Sequence, residues 1–197
     1  MGRPRAICGL ALAGLVVACG NDPVPRPRGY FRIDLPEQGS TRFASDCFTA
    51  EVPEAARMVP QHADERRCWF NLTYPGYKAT VHLTYRSVQG DLARLLEDAH
   101  DLKSKHEAKA YRIGTERVSR DSARVFGTLF DVEGDVASPM VFYLTDSTTN
   151  FLYGALYFRA RPNADSLAPI TARIRDDIRH FAATLRWAEA VRSDGPH

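Results

Sequence analysis

Cys19 is the residue of this 197-residue chain whose position most clearly predicts chemistry. An uncharged apolar run over residues 6–18, which Arg3 and Arg5 precede, ends directly before it. A helix that spans a bilayer needs roughly 20 apolar residues, so this shorter run is typical of a signal peptide. We predict that residues 1–18 are a lipoprotein signal peptide that is removed, and that the thiol and new amine of Cys19 are acylated. An ordinary secretory signal with an incidental cysteine is the alternative.

Acylation of Cys19 would fasten the protein to a membrane of the cell envelope. Each buried methylene contributes about 0.8 kcal/mol, so a multiply acylated terminus binds a bilayer stably. Residues 19–28 contain Pro23, Pro25 and Pro27 in alternation, which predicts a semi-rigid linker of about 3 Å per residue. No aspartate follows Cys19 directly, which favours the outer membrane with the domain facing the periplasm. The inner membrane and the cell surface stay open.

Cys47 and Cys68 are the two cysteines that remain once Cys8 leaves with the signal peptide and Cys19 is acylated. An oxidising compartment favours a disulfide between them. The bridge would close a loop of about 22 residues and contribute roughly 3 kcal/mol if unstrained. Residues 54–67, which lie between the two cysteines, are polar and are predicted to form a loop that needs such a cross-link. Two free buried thiols are the alternative.

Asp146 and Ser147 are the nearest approach to a nucleophile pattern, and they are predicted to be turn residues instead. A serine nucleophile needs a base within hydrogen-bonding reach and an oxyanion hole, and no G-x-S-x-G motif is present. Aspartate and serine are also ordinary turn residues. No catalytic residue is therefore assigned, and both residues are kept as candidates for contact with a partner.

Metal, cofactor and nucleic-acid binding are not predicted. Neither CxxC nor HxxxH spacing occurs, so a zinc site is not expected. His100 and His106 are rotated by roughly 240° on a helix and do not share a face. The net charge is only +2 and no basic block is present, which argues against a nucleic-acid partner.

Runs of alternating apolar and polar residues predict strands along most of the chain. The predicted strands cover residues 48–52, 69–74, 79–85, 111–118, 123–132, 140–145 and 151–158. Pro75 and Gly76 predict a hairpin between the second and third of these. Apolar residues at helical spacing predict helices over residues 92–102 and from about residue 165 to 185.

The second predicted helix carries an apolar stripe that includes Ile170, Ile174, Ile178 and Phe181. Pro169 is expected in its first turn, where proline is tolerated. The charged residues outside the stripe positions are expected to be solvated, namely Arg173, Arg175, Asp176, Asp177, Arg179 and Arg186.

Hairpin connections dominate this order of elements, and no repeated strand–helix–strand unit appears. The prediction is therefore an α+β fold, an antiparallel β-sheet with flanking helices, in a single domain over residues 29–187. Residues 188–197 are predicted to be a flexible tail.

Several long motifs follow one another in a fixed order after Cys19. They occupy residues 27–36, 68–71, 98–102, 137–147, 151–158, 162–169 and 185–187. Together they resemble the gliding motility lipoprotein GldD family, and the resemblance covers nearly the whole chain after Cys19. The order of strands and helices also resembles the PsbP/Mog1 type of fold.

The family resemblance implies a cell-envelope lipoprotein that is needed for gliding and is linked to type IX secretion. It carries over neither enzymatic activity nor catalytic residues. The first hypothesis is therefore a non-catalytic component or assembly factor that contacts other gliding or secretion proteins. The alternative is an envelope enzyme or ligand-binding protein that acts on peptidoglycan, another glycan or a small molecule. A polar cleft with convergent carboxylates or a perturbed histidine would favour the alternative.

Tyr30, Phe31 and Arg32 are further candidates for contact with a partner. They follow the predicted linker directly. Exposed aromatic residues promote association, so these side chains either dock on the sheet of their own domain or are presented to another protein.

Overall fold

The part of the chain that the structure describes forms ten strands and two helices, and seven of the strands coincide with alternating runs in the sequence. The structure is a computed structural model, and it describes residues 39–61, 68–107, 109–159 and 164–188. In chain order the elements are β1 (Ser40–Ala44), β2 (Phe48–Pro53), β3 (Arg57–Pro60), β4 (Trp69–Tyr74), β5 (Ala79–Ser87), α1 (Leu92–Glu107), β6 (Ala110–Arg120), β7 (Val125–Gly134), β8 (Met140–Thr145), β9 (Asn150–Phe158), α2 (Ala164–Thr184) and β10 (Arg186–Trp187).

The strands form two antiparallel sheets. Seven strands form the large sheet in the order β3-β4-β5-β9-β8-β7-β6, and three form the small sheet in the order β1-β2-β10. The hairpin predicted at Pro75 and Gly76 joins β4 to β5 through one turn of 3-10 helix, with Tyr74 paired with Ala79. These elements confirm the α+β class.

One face of the large sheet packs against α2 and the small sheet, and this contact forms the main core. In β5 the alternation is as predicted, because Val81 and Leu83 are buried while His82 between them is exposed. The stripe on α2 supplies the opposite side of the core through Ile170, Ile174, Ile178 and Phe181. Burial of each such side chain contributes about 1.5–3 kcal/mol, so this layer is the main source of stability.

The opposite face of the large sheet is covered in part by α1. Leu95 and Ala99 on α1 pack with Phe151 on β9. Tyr157, farther along β9, is 37% exposed. The strand is therefore central in the sheet, but only part of its second face lies under a helix.

The structure contains three short strands, β1, β3 and β10, that the sequence analysis did not predict. Residues 54–67 were expected to be a loop, yet Arg57–Pro60 forms β3 and pairs with β4. Short edge strands have weak patterns, because only one of their sides is hydrogen-bonded and few of their side chains are buried. Two boundaries also differ, since β7 continues to Gly134 rather than ending at residue 132, and Pro169 lies inside α2 rather than in its first turn.

Several charged side chains of α2 that were expected to be solvated are directed to the sheet instead. Arg175 Nε lies 2.6 Å from Asp131 Oδ1 on β7, and Arg173 Nε lies 3.4 Å from Asp177 Oδ1. The Arg175 contact lacks hydrogen-bond alignment, so it is an ion pair. Burial raises the pKa of both carboxyl groups despite these cations, as expected where desolvation outweighs Coulomb attraction.

Candidate functional site

Cys47 and Cys68 form a disulfide at the end of the domain where β1 turns into β2. The pairing predicted from the sequence is seen in the structure. Cys68 is fully buried and precedes β4, so the bridge joins the small sheet to the large sheet. It thereby holds together two sheets that share no hydrogen-bonded strand pair in the described residues.

Asp146 organises the turn between β8 and β9 at the same end. Its Oδ1 accepts the backbone N–H groups of Thr148, Thr149 and Asn150 at 2.8–2.9 Å. Its Oδ2 accepts the Thr149 hydroxyl at 2.6 Å and the Asn150 amide at 2.8 Å. Burial alone would raise the pKa of Asp146, but these hydrogen bonds outweigh it and hold the pKa well below its usual range. The carboxylate is therefore ionised and fully used within its own turn.

Ser147 is exposed beside Asp146 and has left-handed backbone geometry, with φ of 69°. Its backbone N–H donates to the Thr145 hydroxyl at 3.0 Å. In the residues that the structure describes, no hydrogen bond joins its hydroxyl to a histidine or a carboxylate. The pair therefore has turn geometry and lacks the base that a serine nucleophile requires.

Arg124 connects this turn to the C-terminal strand. Its side chain donates to the Thr148 hydroxyl at 3.1 Å, and its backbone carbonyl accepts the indole N–H of Trp187 at 2.9 Å. Arg124 has φ of 49°, which follows from its place at the end of the short 3-10 turn over Asp121–Ala123. Three segments that are distant in sequence are therefore tied together at one point.

A cleft of about 750 Å³ lies beside the hydrogen bonds of Arg124, and we call it the Trp187 cleft. Four other clefts between the described residues hold about 180 to 470 Å³. The Trp187 cleft is lined by Asp46, Cys47, Tyr85, Ser87, Ser122, Ala123, Arg124, Asp146, Thr149, Asn150, Arg186, Trp187 and Ala188. Of these residues the sequence singled out Cys47 and Asp146. It expected Arg186 to be only a solvated helix residue and missed Arg124, because a single surface arginine carries no local signal.

Arg186 is the second arginine in the lining of the Trp187 cleft, and Arg120 lies near it outside the lining. Arg186 on β10 is exposed and has no ion-pair partner among the residues described. Arg120 donates to the carbonyl groups of Ala182 and Leu185 at 3.1 and 2.8 Å, where the C-terminus of α2 favours a cation. Burial lowers the pKa of Arg120, and the positive charge of Arg186 lowers it further. Arg120 and Arg186 therefore lie close enough to repel one another.

The Trp187 cleft lacks the two convergent carboxylates that acid–base chemistry would need. Asp146 is used by its turn, which leaves Asp46 as the one other carboxylate among its described lining residues. His82 lies on the open face of the sheet, where its Nδ1 is 2.6 Å from Asn71 Oδ1. Burial lowers the pKa of His82, but no carboxylate is among its hydrogen-bond partners in the described residues. The cleft is suited to binding rather than to proton transfer.

Metal binding finds no support in the described ranges. No three or more histidine, cysteine, aspartate or glutamate side chains gather there in a group that could hold a metal ion. His100 contacts the rings of Phe130 and Tyr143 instead.

The other residues that the sequence singled out lie outside the described residues. These are the lipidation site Cys19 and the contact candidates Tyr30, Phe31 and Arg32. The predicted signal peptide, linker and most of the C-terminal tail also lie outside them. Among the elements that are described, neither helix is both long and apolar enough to cross a membrane.

The fold and the site define an α+β domain whose two antiparallel sheets are joined by a disulfide, as is typical of proteins exported from the cytoplasm. The chain belongs to the family described as Gliding motility lipoprotein GldD, whose family model matches residues 20–187. Membership implies a lipoprotein associated with the cell envelope and with gliding motility.

Among solved structures, the chain is similar to cyanobacterial PsbP (CyanoP) from Synechocystis sp. PCC 6803. The TM-score is 0.44 at 7% sequence identity, over 78% of this chain and 95% of that chain. A comparison with curated proteins found no match.

Proposed function

We propose that this protein is a non-catalytic component or assembly factor of the gliding motility and type IX secretion machinery. In this proposal Cys19 anchors it to the outer membrane, and the folded domain faces the periplasm and contacts other envelope proteins. The observation that carries the proposal is the family match over residues 20–187. The disulfide adds support, because such bonds persist outside the reducing cytosol.

The anchor is tested by Cys19→Ser in the full chain, with Cys8→Ser as the matched control, because Cys8 lies in the segment that signal cleavage would remove. We expect Cys19→Ser to abolish acylation, measured as the mass of the mature protein, and to release it from the membrane fraction. Gliding and secretion of type IX cargo should fail together, while Cys8→Ser stays normal. Normal gliding by an unacylated Cys19→Ser protein would refute the proposed mode of action.

The contact surface is tested by placing a photo-crosslinking residue at Phe31 or at Ser147 in the acylated protein in cells. Tyr111, which is 75% exposed on β6, is the control position. We expect one or a few defined envelope proteins to crosslink at position 31 or 147 and not at 111. Crosslinks that stay within the chain at Phe31 would mean that the aromatic segment docks on its own domain. Equal adducts at all three positions would contradict a specific contact surface.

A further inference from the structure

Arg186 is an exposed cation in the lining of the Trp187 cleft, and it makes no ion pair among the described residues. It lies close enough to Arg120 for the two positive charges to repel one another. Arg124 uses its side chain on neutral oxygen atoms, the Thr148 hydroxyl and the Asp146 carbonyl. Like charges held together without a counter-ion cost free energy, and an incoming anion would relieve that cost.

Apart from the Asp46 carboxylate, the polar side chains that remain available in this cleft can donate hydrogen bonds. Asp146 has no lone pair to offer, because its own turn uses both carboxylate oxygens. Tyr85 donates its hydroxyl to Asn150 at 2.6 Å and is also engaged. The guanidinium of Arg186 and the hydroxyls of Ser87 and Ser122 make no hydrogen bond within the described residues. Guanidinium groups bind carboxylate and phosphate oxygens in a paired geometry, so this set of donors fits an oxyanion.

Trp187 adds an apolar surface next to these donors. Its indole N–H is already used by the carbonyl of Arg124, so the ring offers the cleft only apolar and π surface. An aromatic face is electron-rich and packs well against the C–H groups of a sugar ring. An aromatic ring beside hydroxyls and a guanidinium favours a charged sugar over a free inorganic anion.

We propose that the Trp187 cleft binds an anionic glycan, with its carboxylate or phosphate on Arg186 and Arg124 and a sugar ring against Trp187. The proposal rests on the cleft alone and holds whether or not Cys19 is the anchor. Arg124 and Trp187 are tied to each other and to the Asp146 turn, so the site is preorganised and its binding requires little rearrangement. Among the described lining residues, Arg186 is the one cation that has neither an ion pair nor a hydrogen bond, and it is therefore the residue to vary.

Isothermal titration calorimetry tests the proposed binding of an anionic glycan. It uses the full-length lipoprotein in a non-ionic detergent at low ionic strength. The probes are glucuronic acid oligosaccharides, glucose 1-phosphate, neutral glucose oligosaccharides, inorganic phosphate and a glutamate hexapeptide. We expect the charged sugars to bind, the neutral sugar to fail, and phosphate alone to bind more weakly than glucose 1-phosphate. Charge-assisted hydrogen bonds are the strong ones, so Arg186→Ala should weaken binding about tenfold and Arg186→Glu should abolish it.

Two matched variants control for folding and for general charge. Arg57→Ala removes an exposed arginine of β3 that does not line the cleft, and it should leave binding unchanged. Asp46→Asn removes the competing carboxylate and should tighten binding. Glu189 and Asp194 follow Ala188 in the sequence, so Glu189→Gln with Asp194→Asn controls for the negative charge of the residues that come after the cleft.

The outcomes separate the sources of the anion. The proposal is overturned if Arg186→Ala binds the charged sugars as tightly as the wild type does. It is also overturned if neither the wild type nor the Glu189 and Asp194 variant binds them. Binding of the glutamate peptide as tightly as the charged sugars, with the same dependence on Arg186, overturns the glycan assignment in favour of an acidic protein segment. Phosphate binding as tight as that of the sugar phosphate overturns the role of Trp187.

Discussion

The carboxylate of Asp146 accepts five hydrogen bonds, and the residue is only 6% exposed. The sequence predicted a turn residue at this position, and the structure shows why that turn needs an acid rather than an amide. An amide oxygen and nitrogen could not both accept from the surrounding donors. The residue is therefore structural, and the contact role of its turn depends on Ser147 and its neighbours.

Asp146→Asn is expected to lower the free energy of unfolding by about 2 kcal/mol, because hydrogen bonds to a charged group are each worth roughly 1.5–3 kcal/mol and only some would be lost. Urea unfolding at neutral pH measures this. Asp121→Asn, at an exposed carboxylate in a nearby turn, should change stability by less than about 0.5 kcal/mol. Equal effects of the two variants would contradict the role assigned to Asp146.

The contribution of Asp146 to the free energy of unfolding is expected to depend on pH. The folded-state pKa of Asp146 lies below the unfolded value, so its contribution is complete above the unfolded pKa of about 3.9 and disappears as the pH falls through the folded pKa. The stability difference between wild type and Asp146→Asn should stay constant from pH 7 to about 5 and shrink below about pH 4. Urea unfolding across that range checks it, and a constant difference down to pH 2 would contradict it.

At the scale of elements, β8 and β9 fit together through a glycine and an aromatic ring. Gly154 on β9 pairs with Phe142 on β8, and a Cβ at residue 154 would meet the Phe142 ring at 2.1 Å. The fully buried ring covers the glycine in the core. Glycine is needed here for space, since its φ is not in the left-handed region.

Gly154→Ala is expected to destabilise the fold by about 1–3 kcal/mol through overpacking. Combination with Phe142→Leu should cost less than the sum of the two single variants, because the smaller side chain relieves the clash. A double-mutant cycle by chemical denaturation measures the coupling. Strict additivity would show that the two positions do not contact one another as described.

The packing of α2 makes an independent prediction. Ile174 is fully buried in the layer between α2 and the large sheet. Ile174→Ala should cost about 2–5 kcal/mol and Ile174→Val about 0.5–1.5 kcal/mol, because the larger truncation leaves the larger cavity. Urea unfolding of both variants tests this order, and Ala172→Ser on the exposed side of the helix is the control. A small loss of unfolding free energy in Ile174→Ala would contradict the packing of α2 against the core.

At the scale of the whole molecule, the disulfide joins two sheets that share no hydrogen-bonded strand pair in the described residues. The double variant Cys47→Ala with Cys68→Ala should lose about 3 kcal/mol, since the two cysteines are 21 positions apart and the bridge restricts the unfolded chain. Urea unfolding of the oxidised wild type, the reduced wild type and the double variant measures it. The reduced protein and the double variant should behave alike, and equal stability of all three would contradict the role of the bridge.

The local elements of this protein follow from its sequence because their signals are local. Period-two alternation in residues 79–85 and period-3.6 spacing of Ile170, Ile174 and Ile178 depend only on neighbours in the chain. The pairing of Cys47 with Cys68 followed by elimination. The lipidation site Cys19 and the aromatic segment from Tyr30 to Arg32 stay sequence predictions, since they lie outside the described residues.

The tertiary structure alone decided which strands became neighbours and where the Trp187 cleft formed. The small sheet depends on β1 and β10, whose short edge patterns carry little local information. The cleft combines Arg124, the Asp146 turn and the adjacent residues Arg186 and Trp187, and these three segments are distant in sequence. Their charges and hydrogen bonds act through space, so no spacing along the chain could reveal them before the sheets had packed.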